Sequence, residues 1–251
     1  MSIDEWFWNA SVEEMKRGYM QEDDRFTCLL CGSQTEKGIV YSHAGAFYEA
    51  ERFMKIHIQQ AHGSVFQYLI GLDKKLTGLT DHQNNLIQLF YDGKSDSEVQ
   101  QAMGIGSAST IRNHRFGLKE KERQSKVFLT LMELLKEKDQ HAPAFVDFHK
   151  TATMVDERYN VTQDEYDKIV NKYFPDGVSG GLKAFGKQEK HKLIVLKEIV
   201  KQFDAERTYY EKEVNEILKP IYHDHVLLRR YLIEYGFLDR KDDGSQYWRK
   251  G

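Results

Sequence analysis

Apolar residues recur along much of this chain at spacings of three and four, the period of a helix with one buried face. Phe47, Phe53, Met54 and Ile58 predict a helix over 45–61. Leu86, Leu89 and Phe90 predict a second, which Gly93 stops. Val99, Ala102 and Met103 face inward on a third, which Ser95 opens with Glu98 three residues on, a reciprocal capping pattern. Gly104-Ile105-Gly106 then makes a tight turn, and Ser107 or Ser109 caps a helix carrying 110–115. Val127, Leu131, Leu134 and Leu135 continue the helical period, with Phe128 and Met132 alongside.

The second half is punctuated differently. Pro143, Pro175 and the run Pro-Asp-Gly-Val-Ser-Gly-Gly at 175–181 read as a linker, within which Thr162 and Glu165 cap a short helix over 165–173. Leu193, Leu196, Ile199 and Val200 then form one helical face ending near Phe203. A helix over 210–218 is stopped by Pro220, and another over 223–235 by Gly236. The runs 237–240 and 246–249 flank Asp243-Gly244, a strong hairpin signal. The fold class is therefore mainly α.

Composition narrows the picture. Hydrophobic residues make up 40% and charged residues 30% of 251, which suits soluble globular units, and the length predicts more than one. No apolar run approaches the roughly 18 residues that span a bilayer, and the aromatic, acidic start does not read as a signal peptide. The expected location is the cytoplasm, with no membrane partner. The formal net charge is −3, so any affinity for nucleic acid must come from a local basic face. The segment 112–126 supplies one, with six basic residues against two acidic.

Both cysteines of the chain fall in one C-x-x-C, at Cys28 and Cys31, and His57 and His62 follow after 25 intervening residues. Zinc takes four N or S donors, commonly one pair from a turn and one from a helix end, so these four predict a structural zinc site. Five residues of helix turn by about 500°, so the two imidazoles would diverge unless the last turn loosens near Gly63. His43 is an alternative ligand to either histidine. The segment resembles a C2H2 zinc finger, with Tyr41 and Phe47 as core aromatics, although the gap between the pairs is about twice the usual one. That gap argues against the finger itself reading the major groove.

The segment 79–115 carries Leu79-Thr80, Gly93-Lys94-Ser95, Glu98-Val99 and Thr110-Ile111-Arg112-Asn113-His114-Arg115. It resembles the LuxR/FixJ-type helix-turn-helix, departing at Gln83, where the family has glutamate, and by one extra residue before Thr110. The resemblance implies a DNA-binding transcription regulator. Arg112 and Asn113 would reach base edges, with His114 and Arg115 beside them, while Thr110, Lys119 and Lys121 are placed for the phosphate backbone. Related regulators dimerise through a helix at the position of the 127–135 stripe, which implies a homodimer; packing onto the unit's own core explains the stripe equally well.

Glu213-Val214-Asn215, Leu228–Leu232 (Leu-Arg-Arg-Tyr-Leu), Gly236-Phe237-Leu238-Asp239-Arg240 and Tyr247-Trp248-Arg249 together resemble a bacterial domain of unknown function (2087), found alone or appended to such regulators. Three helices followed by a two-stranded wing is the winged-helix order. Arg229, Arg230 and Arg249 make either a second DNA contact, or a contact with an anionic ligand or protein partner, or internal ion pairs with Glu213, Asp224 or Asp239. The expected organisation is a zinc-finger-like region at 1–75, a LuxR-type unit at 76–138, a linker with a short helix at 139–181 and a winged-helix-like domain at 182–251.

Two further readings belong to other classes. In one, the helix-turn-helix is the output of a metal, redox or small-molecule sensor, and zinc is exchangeable. In the other, the chain is an adaptor for RNA or protein. No nucleophile–base motif, phosphate-binding Gly-rich loop or telling carboxylate pair is present, so no enzyme is expected. The polar run 149–158 lines a ligand pocket between domains or is a surface loop.

Overall fold

The structure, a computed structural model, describes residues 3–147, 149–153, 155–205 and 207–250. About 54% of the chain is helical and 13% strand, so the mainly α expectation holds at that level. The chain divides into two compact units, one built from 1–76 and 144–251 and the other from 77–143.

The first unit begins with α1 (Ile3–Asn9) and α2 (Val12–Arg17), the latter opened by a Ser11/Glu14 capping box. Strands β1 (Tyr19–Glu22), β2 (Arg25–Cys28) and β3 (Gln34–Glu36) follow as an antiparallel meander, with Tyr19 opposite Cys28 and Phe26 opposite Thr35. Next come the hairpin β4 (Val40–His43) and β5 (Ala46–Glu49) and the helix α3 (Ala50–His62). The helix expected over 45–61 thus starts at Ala50, and 46–49 are strand. Ala44 and Gly45 both take positive φ, 49° and 79°, which turns the chain back on itself before the helix can begin. Phe47 is consequently 76% exposed rather than in the core, whereas Tyr41 stacks on Phe53 at 4.8 Å. Phe7, Leu29, Leu30, Met54 and Ile58 form the core here.

After α4 (Val65–Ile70) and the one-turn α5 (Lys74–Thr77), the chain enters the second unit. Its helices are α6 (Asp81–Tyr91), α7 (Asp96–Met103) and α8 (Ala108–Lys136). Leu86, Val99 and Ile111, one from each helix, are fully buried against one another. Ala102, expected inside, is exposed. Gly104 ends α7 at φ 64°, and Ser107 caps α8, which runs unbroken through the stripe at 127–135. In the stripe Val127, Phe128, Leu131 and Leu134 are all more than half exposed.

The chain returns to the first unit at Ala144. The stretch expected to be a linker is packed from there on, with a bridge from Phe145 to Thr162 and α9 (Gln163–Tyr173) opened by the predicted capping box. Then come α10 (Glu189–Ile199), β6 (Thr208–Tyr210), α11 (Glu211–Leu218), α12 (His225–Glu234), β7 (Leu238–Arg240) and β8 (Gln246–Arg249). The predicted hairpin is β7–β8, and β6, which the apolar pattern does not reveal, adds to it in the order β6-β8-β7. Leu196, Ile199, Val214, Leu218, Leu228 and Leu232 interlock as the core of this part.

The polar run 149–158 is not a surface loop at its start (Met154 lies outside the described residues). His149 is buried, stacks on Phe237 at 3.9 Å and donates from Nε2 to the Tyr235 carbonyl at 2.7 Å. Its Nδ1 has no hydrogen-bond partner among the described residues, and the residue helps line a cavity of about 20 Å³, room for one water. Burial pushes the imidazole down to about 4. An unfolded histidine protonates near pH 6.5, so between these values the unfolded chain binds the extra proton and the folded one does not. Stability is therefore full above about pH 6.5 and should fall by about 3 kcal/mol as the pH drops to 4. Urea titrations at several pH values should show this slope in the parent protein and a flatter one in His149→Gln; equal slopes would refute the assignment.

Candidate metal centre and nucleic-acid face

Cys28 is the last residue of β2, and the five residues to Ser33 turn the chain into β3. The turn closes through Gly32 N–H to the Cys28 carbonyl and Cys28 N–H to the Ser33 carbonyl, both 2.8 Å. Gly32 makes this possible at φ 87°, and a Cβ there would lie 3.1 Å from Ile3 Cδ1. Across the core, α3 carries His57, and His62 is its last residue, after which Gly63 breaks the helix at φ 69°.

All four side chains converge. Cys31 Sγ lies 3.1 Å from His57 Nε2, and Cys28 Sγ lies 3.6 Å from His62 Nε2. The four donor atoms sit within 4.8 Å of one another. Zn–S bonds of about 2.3 Å and Zn–N bonds of about 2.0–2.1 Å give a tetrahedron with edges of roughly 3.3–3.8 Å, so the donors fit a metal ion such as zinc. The thiols share a proton unequally. Hydrogen bonds from Cys28, His57, His62 and Ser33 hold Cys31 far down as a thiolate, while the bond to Cys31 and burial push Cys28 up. A cation at the centre would favour two thiolates. His43 is elsewhere, on β4, bonded to Gln60 at 2.8 Å. Tyr68 of α4 packs edge-on against the His62 ring at 5.7 Å.

Two residues beneath the turn were not foreseen. Lys150 is fully buried and donates from Nζ to the Leu29 carbonyl at 2.9 Å, and its own amide donates to Asp4 Oδ1 at 3.1 Å. Burial lowers the Lys150 ammonium to about 8, with Asp4 pulling it back up. A lone lysine in a polar run gives no sign in the sequence that it will be buried.

In the helical unit the expected DNA-contacting residues have separate fates. Thr110 bonds to the cap Ser107 (Oγ to Oγ1 2.9 Å). His114 faces His82 of α6, with Nε2 atoms 3.3 Å apart. Arg115 lies over Phe90 at 3.6 Å and binds Asp96 at 2.9 Å, so it clamps α8 to α6 and α7. Lys119 pairs with Glu122 at 2.5 Å, and Lys121 donates to the Gly78 carbonyl. Arg112 and Asn113 are exposed. Gln83 still closes a capping box with Thr80, both bonds at 3.2 Å, which is the local role a glutamate would have.

Several residues of the C-terminal motifs hold the domain together. Asn215 accepts from Arg229 at 2.6 Å, and Arg229 also pairs with Glu211 at 2.7 Å, not with the partners expected. Gly236 turns α12 into β7 at φ 79°. Tyr247 is buried, and Arg249 donates to the Phe203 carbonyl at 3.3 Å. Residues 181–249 form a domain of the family described as an uncharacterized protein conserved in bacteria, DUF2087. The DUF2087 motifs thus fix helix packing and the sheet corner. No curated protein and no solved structure matches the chain.

Substituting Gly32 tests the turn. Gly32→Ala should cost about 1–2 kcal/mol in a urea titration of the metal-loaded protein, because the residue must keep a left-handed backbone. Cobalt affinity, read from thiolate–cobalt absorption, should fall alongside.

Proposed function

We propose that this chain is a zinc-containing, sequence-specific DNA-binding transcription regulator of LuxR/FixJ type, acting as a homodimer in the bacterial cytoplasm. The observation that carries the reading is the exposed pair Arg112 and Asn113 on the first turns of α8, directly after the Gly104 turn. The neighbouring basic residues are held by partners within the unit, which leaves this pair as the side chains available to base edges. Lys126 extends the basic face along the helix for phosphate contact. The zinc part of the reading is supported by the convergence of Cys28, Cys31, His57 and His62. The dimer is supported by the exposed stripe of α8, an apolar row at helical spacing with Leu131 58% and Leu134 53% exposed. A winged-helix-like role for the DUF2087 domain is supported by its order of helices and its three-stranded sheet. A second reading makes metal the signal rather than a fixed part, and its support lies in the contact of Lys150 with the cysteine turn.

Fragments selected from bacterial genomic DNA by the purified protein provide the probe. Arg112→Ala and Asn113→Ala should each cost about 1–3 kcal/mol in binding, measured by fluorescence anisotropy, and affinity should drop steeply with salt. Unchanged affinity in both variants would reject α8 as the reading helix. One zinc per chain is expected by metal analysis, lost in Cys28→Ser and in His62→Ala. Sedimentation should show a dimer that Leu131→Glu dissociates.

A further inference from the structure

One short strap of chain touches both the cysteine turn and the DUF2087 domain. At its centre Lys150 is wholly buried, and its ammonium donates to the carbonyl of Leu29 at 2.9 Å. Leu29 lies between Cys28 and Cys31, so the direction of that carbonyl is set by the shape of the turn. The neighbours of Lys150 face the other way. His149 Nε2 donates to the Tyr235 carbonyl at 2.7 Å, Thr151 Oγ1 to the Gly236 carbonyl at 2.8 Å and Thr153 Oγ1 to the Glu234 carbonyl at 2.8 Å. These three carbonyls form the corner between α12 and β7. The corner is also in backbone contact with the strap, since a Cβ on Gly236 would lie 2.2 Å from the Thr151 oxygen.

We infer that the Cys28/Cys31/His57/His62 centre is a metal-responsive input to the DUF2087 domain, with His149–Thr153 as the transmitting strap. The inference rests on the metal-binding reading above. With metal bound, the two thiolates fix the turn and the Leu29 carbonyl meets the ammonium. Without metal, the turn keeps the two backbone hydrogen bonds that close it but loses the fixing of its thiolates, and the Leu29 carbonyl is held less firmly in place. A buried ammonium that loses its acceptor has its desolvation uncompensated, which favours displacement of the side chain or loss of its proton, and either ends its hold on the turn. The strap then moves, and the three bonds to the α12–β7 corner loosen. Metal removal therefore reaches the DUF2087 domain as a local opening of one corner.

Hydrogen–deuterium exchange on the full chain, zinc-loaded against chelated, tests this. The reporting amides are Gly236, bonded to the Ile233 carbonyl at 3.0 Å, and Phe237, bonded to the Leu232 carbonyl at 2.8 Å. Both should exchange at least tenfold faster after chelation, while amides inside α9 and α11 keep their rates. In Thr151→Val, which leaves the lysine and the cysteine turn intact, the corner should exchange faster in the loaded state and respond less to chelation. In Lys150→Met, with cobalt binding measured alongside, the response to metal should disappear. A corner whose exchange is the same in both states, in a protein whose cobalt spectrum shows metal bound and then removed, overturns the inference and leaves the metal site standing. A uniform rise across α9, α11 and the corner also overturns it, since that is unfolding rather than transmission. Absence of any tetrahedral cobalt spectrum overturns both.

Discussion

The meeting of Cys28 and Cys31 with His57 and His62 is the contact on which the N-terminal part of the first unit depends. Among the described residues, the first 76 positions make short strands, a hairpin and only one helix of more than two turns, and a segment of that size buries too little apolar surface to be secure by packing alone. Its core is nine buried residues, several of which flank the ligands themselves: Leu29 and Leu30 lie between the cysteines, and Ile58 follows His57. The side chains that close the core and those that form the centre thus come from the same turn and the same helix. Neither could move without the other, and the Lys150 strap is fastened to this shared piece.

The second unit solves the same shortage by other means. Three buried side chains are a small core for three helices, and the ends of those helices carry much of the definition instead. Thr80 with Gln83 and Ser95 with Glu98 close reciprocal caps, and Gly104 and Ser107 fix the turn into α8. Arg115 adds a clamp by lying over Phe90 while binding Asp96. A basic residue that the sequence offers for DNA is thereby committed to holding the helix that would present the others.

Much of this was legible in the residues because it is local. Capping boxes at Ser95 and Thr162, the Gly104 turn and the Asp243-Gly244 hairpin are each written in a few adjacent positions, and the structure has them where those positions lie. The metal donors were legible for a different reason, since both cysteines fall in one pair and two histidines sit at a helix end. What escaped depends on tertiary context. Strands of three or four residues such as β1 to β3 are too short to show alternation, and the apolar run through Phe47 merges a hairpin strand with the helix behind it. Arg229 chose Glu211 over equally charged neighbours, which only the packing of α11 on α12 decides. Lys150 is the extreme case, a residue type expected in water that is buried with its ammonium donating a hydrogen bond to a carbonyl 121 positions earlier.

That separation has a consequence for the newly made chain. The larger unit is discontinuous, with residues 77–143 inserted between its halves. All four metal donors are synthesised before the inserted helices, and Lys150 follows His62 only after those helices. At about 5–20 residues per second the interval is of the order of 4 to 18 seconds. Closing so long a loop adds little beyond a logarithmic entropy term, so time rather than length is the larger difference. Metal capture by the N-terminal segment can therefore precede the arrival of the strap, and the order of synthesis would set the turn before the lysine that reads it exists.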